Sequence, residues 1–506
     1  MPPDSVFEKI RESDRDAARA FYKKYINVGG LSAMSSADVA DEALQRTYYI
    51  VTHMLAGRPD ILAQMKQSGT RLIIIGKDQV YTDMPEYHHT RNPEFMNERV
   101  RGTGGLSVTS FGEENLLNLP LDRYDDESIG VHEFSHTIDA ALRIIDPTWS
   151  GPDGRLAKAY KNAVDVGLWK FAYTGSNQTE YWAEICQSYF DTNRTNNWNH
   201  AAVATREQLK QYDPVGYELC RTIFNFSPAN GWRYTPVQKQ PSVIAPPEKF
   251  KIDPYYTKFT WAREFIILGS DKVSDEALLK ANDTVRKLFA YRHDILKALI
   301  SDGAKLVVLG RGESLTDLPE FADAKNQPGF DCVRYFDYAP DKKLLVVPEE
   351  NVLGLASDPL RGQSAVVAAL AKAMYQVAGT RPADPNFDDR RDKQQYEQQL
   401  LWNKPSLPIK RVDIEFDLKL RRLFDDATAK GLWKGTPAAR DRVEYWAAGL
   451  AAYFDATGPG YAPNDAPRPI TTRELLKTYD PDLYDFVDAL MLYTNHQDWR
   501  YKTGPN

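Results

Sequence analysis

Apolar positions recur at helical spacing over residues 38–68 and again over 274–302, and each stretch predicts helix. A short β-branched run follows each one. Arg71-Leu72-Ile73-Ile74-Ile75-Gly76 and Lys305-Leu306-Val307-Val308-Leu309-Gly310 both read as buried strands that stop at glycine. A Gly-, Asn- and Pro-rich stretch over 77–104 separates the first run from two further strand candidates, 106–111 and 116–119. Helical spacing returns at about 124–145, 155–171, 178–192 and 205–226. Segment 235–254 carries Pro236, Pro241, Pro246, Pro247 and Pro254 without an apolar period, and reads as a semi-rigid linker. The pattern predicts an α+β fold, mostly helical with a small sheet.

The same pattern is written twice. Phe21 to Tyr25 is echoed by Tyr255 to Phe259, Asp41-Glu42-Ala43-Leu44 by Asp275-Glu276-Ala277-Leu278, and Thr82-Asp83-Met84-Pro85 by Thr316-Asp317-Leu318-Pro319. These pairs and the β-branched runs share one offset, which chance similarity would not produce. With a drifting offset, Glu180-Tyr181-Trp182-Ala183 meets Glu444-Tyr445-Trp446-Ala447, Tyr212-Asp213-Pro214 meets Tyr479-Asp480-Pro481, and Trp232-Arg233-Tyr234 meets Trp499-Arg500-Tyr501. Two tandem copies are expected, 1–234 and 255–506, joined by 235–254, and each has the length of one domain.

Composition narrows the partners. A net charge of -7 argues against nucleic acid, whose binding needs a basic stripe. No run of about 18 apolar residues occurs, so no membrane span is expected. Met1-Pro2-Pro3-Asp4 lacks the basic and apolar regions of a signal peptide, although the chain could begin after a removed one, which leaves the compartment open. Cys186, Cys220 and Cys332 are too few for a disulfide framework and too scattered for metal. Sequons at Asn177, Asn193, Asn225 and Asn282 are near chance frequency.

His132-Glu133-Phe134-Ser135-His136 spells H-E-x-x-H inside the expected helix 124–145. Residues four apart lie one turn apart on one face, so both imidazoles can hold one Zn²⁺ while Glu133 faces the water at its open position. Two neutral nitrogens anchor the ion, and the carboxylate takes a proton from that water. Asp122, Asp125, Asp126 and Glu127 precede the helix, where its dipole favours anions. Thr137, Ile138, Ala140 and Ala141 after the motif are small or apolar, as in a core helix. Further on, Ser176 or Thr179 can cap a helix that carries Glu180 and Glu184 one turn apart among Tyr181, Trp182, Ile185, Tyr189 and Phe190. Carboxylates in such company need a cation or donors. One can complete the metal site and the other can accept a ring N–H of a ligand histidine; spacing alone leaves open which does which.

His-Glu-Phe-small-His followed by Thr137, Ile138 and Asp139, then Tyr173 and Glu180-Tyr181-Trp182-Ala183-Glu184, resembles the anthrax lethal factor-like gluzincin metallopeptidases. The resemblance covers roughly 120–195 and thins on either side. It implies a zincin-like fold with one Zn²⁺ per chain, held by His132, His136 and Glu180. It further implies Glu133 as general base, Glu184 as the carboxylate behind a ligand histidine, and Tyr173 as donor to the oxyanion. The implied activity is that of a zinc endopeptidase acting on a peptide or protein. In zincins an edge strand just before the metal helix commonly pairs with extended substrate, and 106–111 is expected to do so through Leu106, Val108 and Ser110.

The second copy reads Ala365 to Met374 where the first has its motif, with no histidine, and Ala448 where the first has Glu184, while Glu444 is kept. One carboxylate cannot hold zinc, so this copy is expected to be degenerate, shaping the cleft or binding substrate or a partner protein. Two other readings stand beside the peptidase: a non-catalytic binding protein with two recognition modules, and a zinc hydrolase acting on a small non-peptide amide. His88-His89, in a Pro/Asn-rich loop, is a poor second metal site. Arg101-Gly102-Thr103-Gly104-Gly105 lacks the helix setting and lysine of a phosphate cradle, and is expected to shape the turn before 106–111.

Overall fold

The structure is a computed structural model, and it describes residues 1–124, 127–169, 172–193, 203–224, 231–238, 241–290, 292–325, 327–358, 360, 362–379, 416–458, 462–464, 466, 468–491 and 499–501. Asp125, Asp126, Asn225 and the expected helix ends at 170–171 and 225–226 lie outside these residues. The described chain divides into two compact units, residues up to 238 and residues from 241. Both are α+β, each with a small sheet.

The first unit begins its sheet with a hairpin. Strands β1 (Lys24–Val28) and β2 (Leu31–Ser35) pair antiparallel across Gly29-Gly30, at φ of 59° and 100°, the positive values that a two-residue hairpin turn needs. Helices α1 (Asp41–Met54) and α2 (Pro59–Gln67) follow. The single helix expected over 38–68 is therefore two, because Pro59 drives Arg58 out of helical geometry and opens the second. The buried strand β3 (Arg71–Ile75) runs parallel between β2 and β4 (Val108–Gly112), the last strand of this sheet among the described residues.

The expected strand at 116–119 is not formed. Glu113–Leu116 is a helical turn instead, and Asn118 adopts a left-handed conformation at φ 51°. Buried Glu113 accepts the backbone N–H groups of Ala40 and Lys77, and buried Glu114 receives the Arg101 guanidinium. These acids need their donors once desolvated, and meeting them folds the chain over the end of the sheet.

Helices α3 (Ile129–Ile145), α4 (Arg155–Asp165), α5 (Gln178–Tyr189), α6 (Arg206–Tyr212) and α7 (Pro214–Phe224) complete the unit. The expected helix 205–226 breaks at Asp213-Pro214, since the residue before proline avoids helical geometry and proline has no N–H to give. Asp213 is fully buried at this corner and accepts from the Trp169 indole at 2.9 Å, the Tyr181 hydroxyl at 2.8 Å and the Gly216 N–H at 2.8 Å. It ties the α6–α7 corner to α5.

The second unit runs through a similar order of elements, with one more strand among the described residues. A hairpin of β5 (Lys258–Ala262) and β6 (Phe265–Gly269) leads to α8 (Asp275–Leu288), α9 (His293–Asp302) and the parallel strand β7 (Lys305–Leu309). Strands β8 (Phe336–Ala339) and β9 (Leu344–Pro348) follow, giving the order β5-β6-β7-β9-β8, so β8 covers the outer edge of β9. Helices α10 (Ala365–Met374), α11 (Phe416–Ala429), α12 (Arg442–Tyr453), α13 (Arg473–Tyr479) and α14 (Pro481–Met491) come next. Asp480 accepts from the Trp433 indole and the Tyr445 hydroxyl, each at 2.8 Å, as Asp213 does in the first unit.

The described parts of the proline-rich stretch are hydrogen-bonded to the unit each belongs to. The Thr235 carbonyl accepts from Arg46, and the Val237 N–H donates to Asn118, both within the first unit. Ile244 exchanges two backbone hydrogen bonds with Phe259 of β5 in the second. The residues between the prolines keep their N–H groups, and these bind the stretch down together with its carbonyls. No helix among the described residues is long and apolar enough to cross a membrane.

Asp213→Ala would leave a buried indole N–H and a phenol without an acceptor, a loss of about 3 kcal/mol. Calorimetry should show the first unit melting roughly 10 °C lower; an unchanged Tm would remove Asp213 from this structural role.

Candidate metal centre

Two helices carry the site, and each is started by a side chain. At α3, Ser128 Oγ accepts from the Val131 N–H at 3.3 Å and Asn115 Oδ1 accepts from the Ile129 N–H at 2.7 Å, so its first donors are met. At α5 the cap is Asn177, rather than the expected Ser176 or Thr179. From an extended backbone its Oδ1 reaches the N–H groups of Thr179 at 2.9 Å and Glu180 at 3.0 Å. The helices are pinned together where the Trp182 indole donates to the Ser135 carbonyl at 2.8 Å, in the fully buried core.

That pin faces Glu180 toward both histidines. His132 Nε2 lies 3.3 Å from Glu180 Oε2, His136 Nε2 lies 3.5 Å from the same oxygen, and the two Nε2 atoms are 3.2 Å apart. Ligands about 2.1 Å from a tetrahedral ion stand roughly 3.4 Å from one another, so this triangle has the size of one face of a zinc site. Glu180 Oε2 is buried and has no hydrogen-bond donor among the described residues. Among the described residues this is the one group of three His, Cys, Asp or Glu side chains with its ligand atoms so gathered. The donor set, two imidazole nitrogens and a carboxylate oxygen, suits zinc.

His132 is buried, and its other nitrogen faces only acceptors: Gln187 Oε1 at 2.8 Å and Glu184 Oε1 at 3.3 Å. The ring proton therefore belongs on Nδ1, which turns the Nε2 lone pair toward His136 and Glu180. Burial alone would lower the His132 pKa, but the facing carboxylates of Glu180 and Glu184 outweigh it and hold the imidazole well above its ordinary value. Burial likewise opposes the charge of Glu180, yet the two imidazoles hold its carboxyl far below the usual range. The glutamine at 187 was not visible in the sequence as a site residue; its one signal is a polar side chain on the buried face of α5, seven residues after Glu180.

Glu133 and His136 are half-buried on the same helix. Burial raises the Glu133 carboxyl above its ordinary value, the two histidines draw it back, Glu180 pushes it up, and a bond from the Gly104 N–H draws it down. Gly104 crosses α3 so closely that a Cβ there would lie 2.2 Å from the Glu133 carbonyl oxygen and 2.5 Å from the His136 Cβ. No side chain fits at that crossing. Tyr173 sits in the short turn Tyr173–Gly175, with its ring centroid 6.3 Å from that of His132. Burial and the negative charges of Glu180, Glu184 and Glu133 raise its phenol well above the ordinary value, so it remains a neutral donor.

The expected substrate edge is only partly open. The main chain of Ser110 is already paired with Thr103, through bonds of 2.8 and 3.3 Å, and its side chain bonds to Tyr87 and Thr103. Ser110 is thus not available to an extended peptide. Leu106 precedes β4, its carbonyl taken by the Thr70 hydroxyl, and half-buried Val108 opens the strand. The segment 102–105, expected only to shape a turn, lies along β4 and across α3. Its neighbour Arg101 is buried and grips both carboxylate oxygens of Glu114, which rules it out for a phosphate. His89 faces Asp14 rather than a second metal group, and Asp139 takes the Trp149 indole. Cys186 and Cys220 are buried and unpaired.

In the second unit the Trp446 indole donates to the Ala371 carbonyl at 2.9 Å, as Trp182 does to Ser135. This sets the register: Ala368, Ala369 and Lys372 stand where the first unit has His132, Glu133 and His136. Lys372 places its ammonium 2.9 Å from Glu444 and 2.7 Å from Asp337. A fixed positive charge thus meets the glutamate that corresponds to Glu180.

No family model and no curated protein matches the chain. Among solved structures, the Pro-Pro endopeptidase of Paenibacillus alvei is similar over 38% of this chain and 97% of its own, at 16% identity and a TM-score of 0.28. A likeness at that score carries no functional argument, so what the site can do rests on its own side chains.

Proposed function

We propose that the first unit is a zinc-dependent endopeptidase of the lethal factor-like gluzincin type, and that the second is a degenerate copy of it. One observation carries the reading: three electron-pair donors, two imidazole nitrogens and a carboxylate oxygen with no hydrogen-bond donor among the described residues, converge at 3.2–3.5 Å on buried and half-buried side chains. Such a cluster repels itself unless a cation stands among it.

His132, His136 and Glu180 would hold that cation. When bound, zinc would acidify the water beside it and polarise the scissile carbonyl. Glu133 takes the proton of the attacking water and returns it to the leaving nitrogen. Tyr173 donates its O–H to the carbonyl oxygen as negative charge builds there. Glu184 stands behind His132 with Gln187. Because Thr103 closes the β4 edge at Ser110, pairing with an extended substrate would fall to the 102–105 segment beside Glu133. In the second unit Lys372 replaces the cation with a covalent one, which supports a role in binding substrate or a partner rather than in chemistry.

Digestion of a diverse peptide library should show cleavage by the wild type that falls by about 10²–10⁴-fold in Glu133→Gln, with zinc content unchanged. A variant as active as wild type would remove Glu133 as the base. Tyr173→Phe should lower kcat by on the order of 10²-fold with little change in KM. Because the raised pKa of His132 lets a proton compete for the site, zinc affinity should rise with pH up to that pKa and level off above it. Calorimetry in buffers of different ionisation enthalpy should detect a proton released per zinc; uptake without release would contradict it.

A further inference from the structure

We propose that Gln187 is the positioning residue of the metal site: it locks His132 in the one tautomer and ring orientation that can ligate zinc. This rests on the metal reading above. Gln187 is fully buried. Its Nε2 donates to the Ser128 carbonyl at 3.2 Å and toward Glu127 Oε2 at 3.4 Å. Only an amide nitrogen suits those two acceptors, so Oε1 must face the ring of His132, which it meets at 2.8 Å. Ser128 is also the cap of α3, so one amide fastens the start of that helix to the imidazole a turn later.

Glu184, the partner implied by the family resemblance, is further from the ring at 3.3 Å, and its other oxygen accepts from Asn193 at 3.1 Å. Gln187 therefore makes the shorter bond to the proton that decides the tautomer. The second unit provides an internal control. Its scaffold features persist: the Trp446 bond to Ala371, the Asp480 acceptor, and the Asp441 cap of α12. At the register of Gln187 it has Ala451, alongside Ala368 for His132 and Ala448 for Glu184. The glutamine goes with the ligand and not with the scaffold.

The test is Gln187→Met, which keeps the volume and removes the acceptor. Zinc titration against a competing chelator should show a Kd about 10–100-fold weaker than wild type. In ¹⁵N NMR spectra, zinc-loaded wild type should show a proton on His132 Nδ1 protected from solvent exchange, and the variant should lose that protection. A merely structural glutamine would lower Tm but leave both readouts unmoved, and that result overturns the inference. Should the variant fail to fold, the wild-type spectrum decides alone: a zinc-loaded His132 without a proton on Nδ1 overturns it. Wild type that takes up no zinc at all would instead overturn the metal reading beneath it.

Discussion

The hydrogen bond from the Trp182 indole to the Ser135 carbonyl sets everything else at the site. It joins the helix of the histidines to the helix of the glutamates at one register, in a core where neither partner could find water instead. Each residue of slippage along an α-helix rotates its side chains by about 100°. A slip of one position on α5 would therefore carry Glu180, Glu184 and Gln187 off the face that meets His132 and His136. The second unit has the same bond through Trp446 and Ala371 with no histidine at the matching positions, so the bond belongs to the scaffold.

On that scaffold the two units meet the same electrostatic demand differently. A glutamate held among buried aromatic rings needs positive charge nearby. In the first unit it faces two imidazoles, whose Nε2 atoms leave room for an ion. In the second it faces the ammonium of Lys372, helped by Arg440 at 2.6 Å. A lysine satisfies the carboxylate permanently and closes the place to a metal, whereas two histidines satisfy it only with a proton or an ion.

The H-E-x-x-H spacing, the Glu180 and Glu184 pair and the similarity between the halves were legible because each depends on neighbours along the chain or on identity between its halves. The apolar pattern was less reliable at element ends. It runs through Pro59 and Pro214 as though the helices were continuous, and only the missing N–H of proline and the non-helical residue before it break them. At 116–119 the same apolar signal suggested a strand, but the desolvated acids Glu113 and Glu114 chose a helical turn.

The sequence by itself determined which groups could ligate an ion, that the motif lies on a core helix, and that one half retains what the other lacks. The tertiary structure alone decided which carboxylate faces both imidazoles, that Gln187 reaches Nδ1 of His132, that Thr103 covers Ser110, and that Lys372 meets Glu444. The physical reason is range. Helical spacing places side chains within one element, but each of these contacts crosses between elements far apart in the chain, where fractions of an ångström in packing decide which atoms meet.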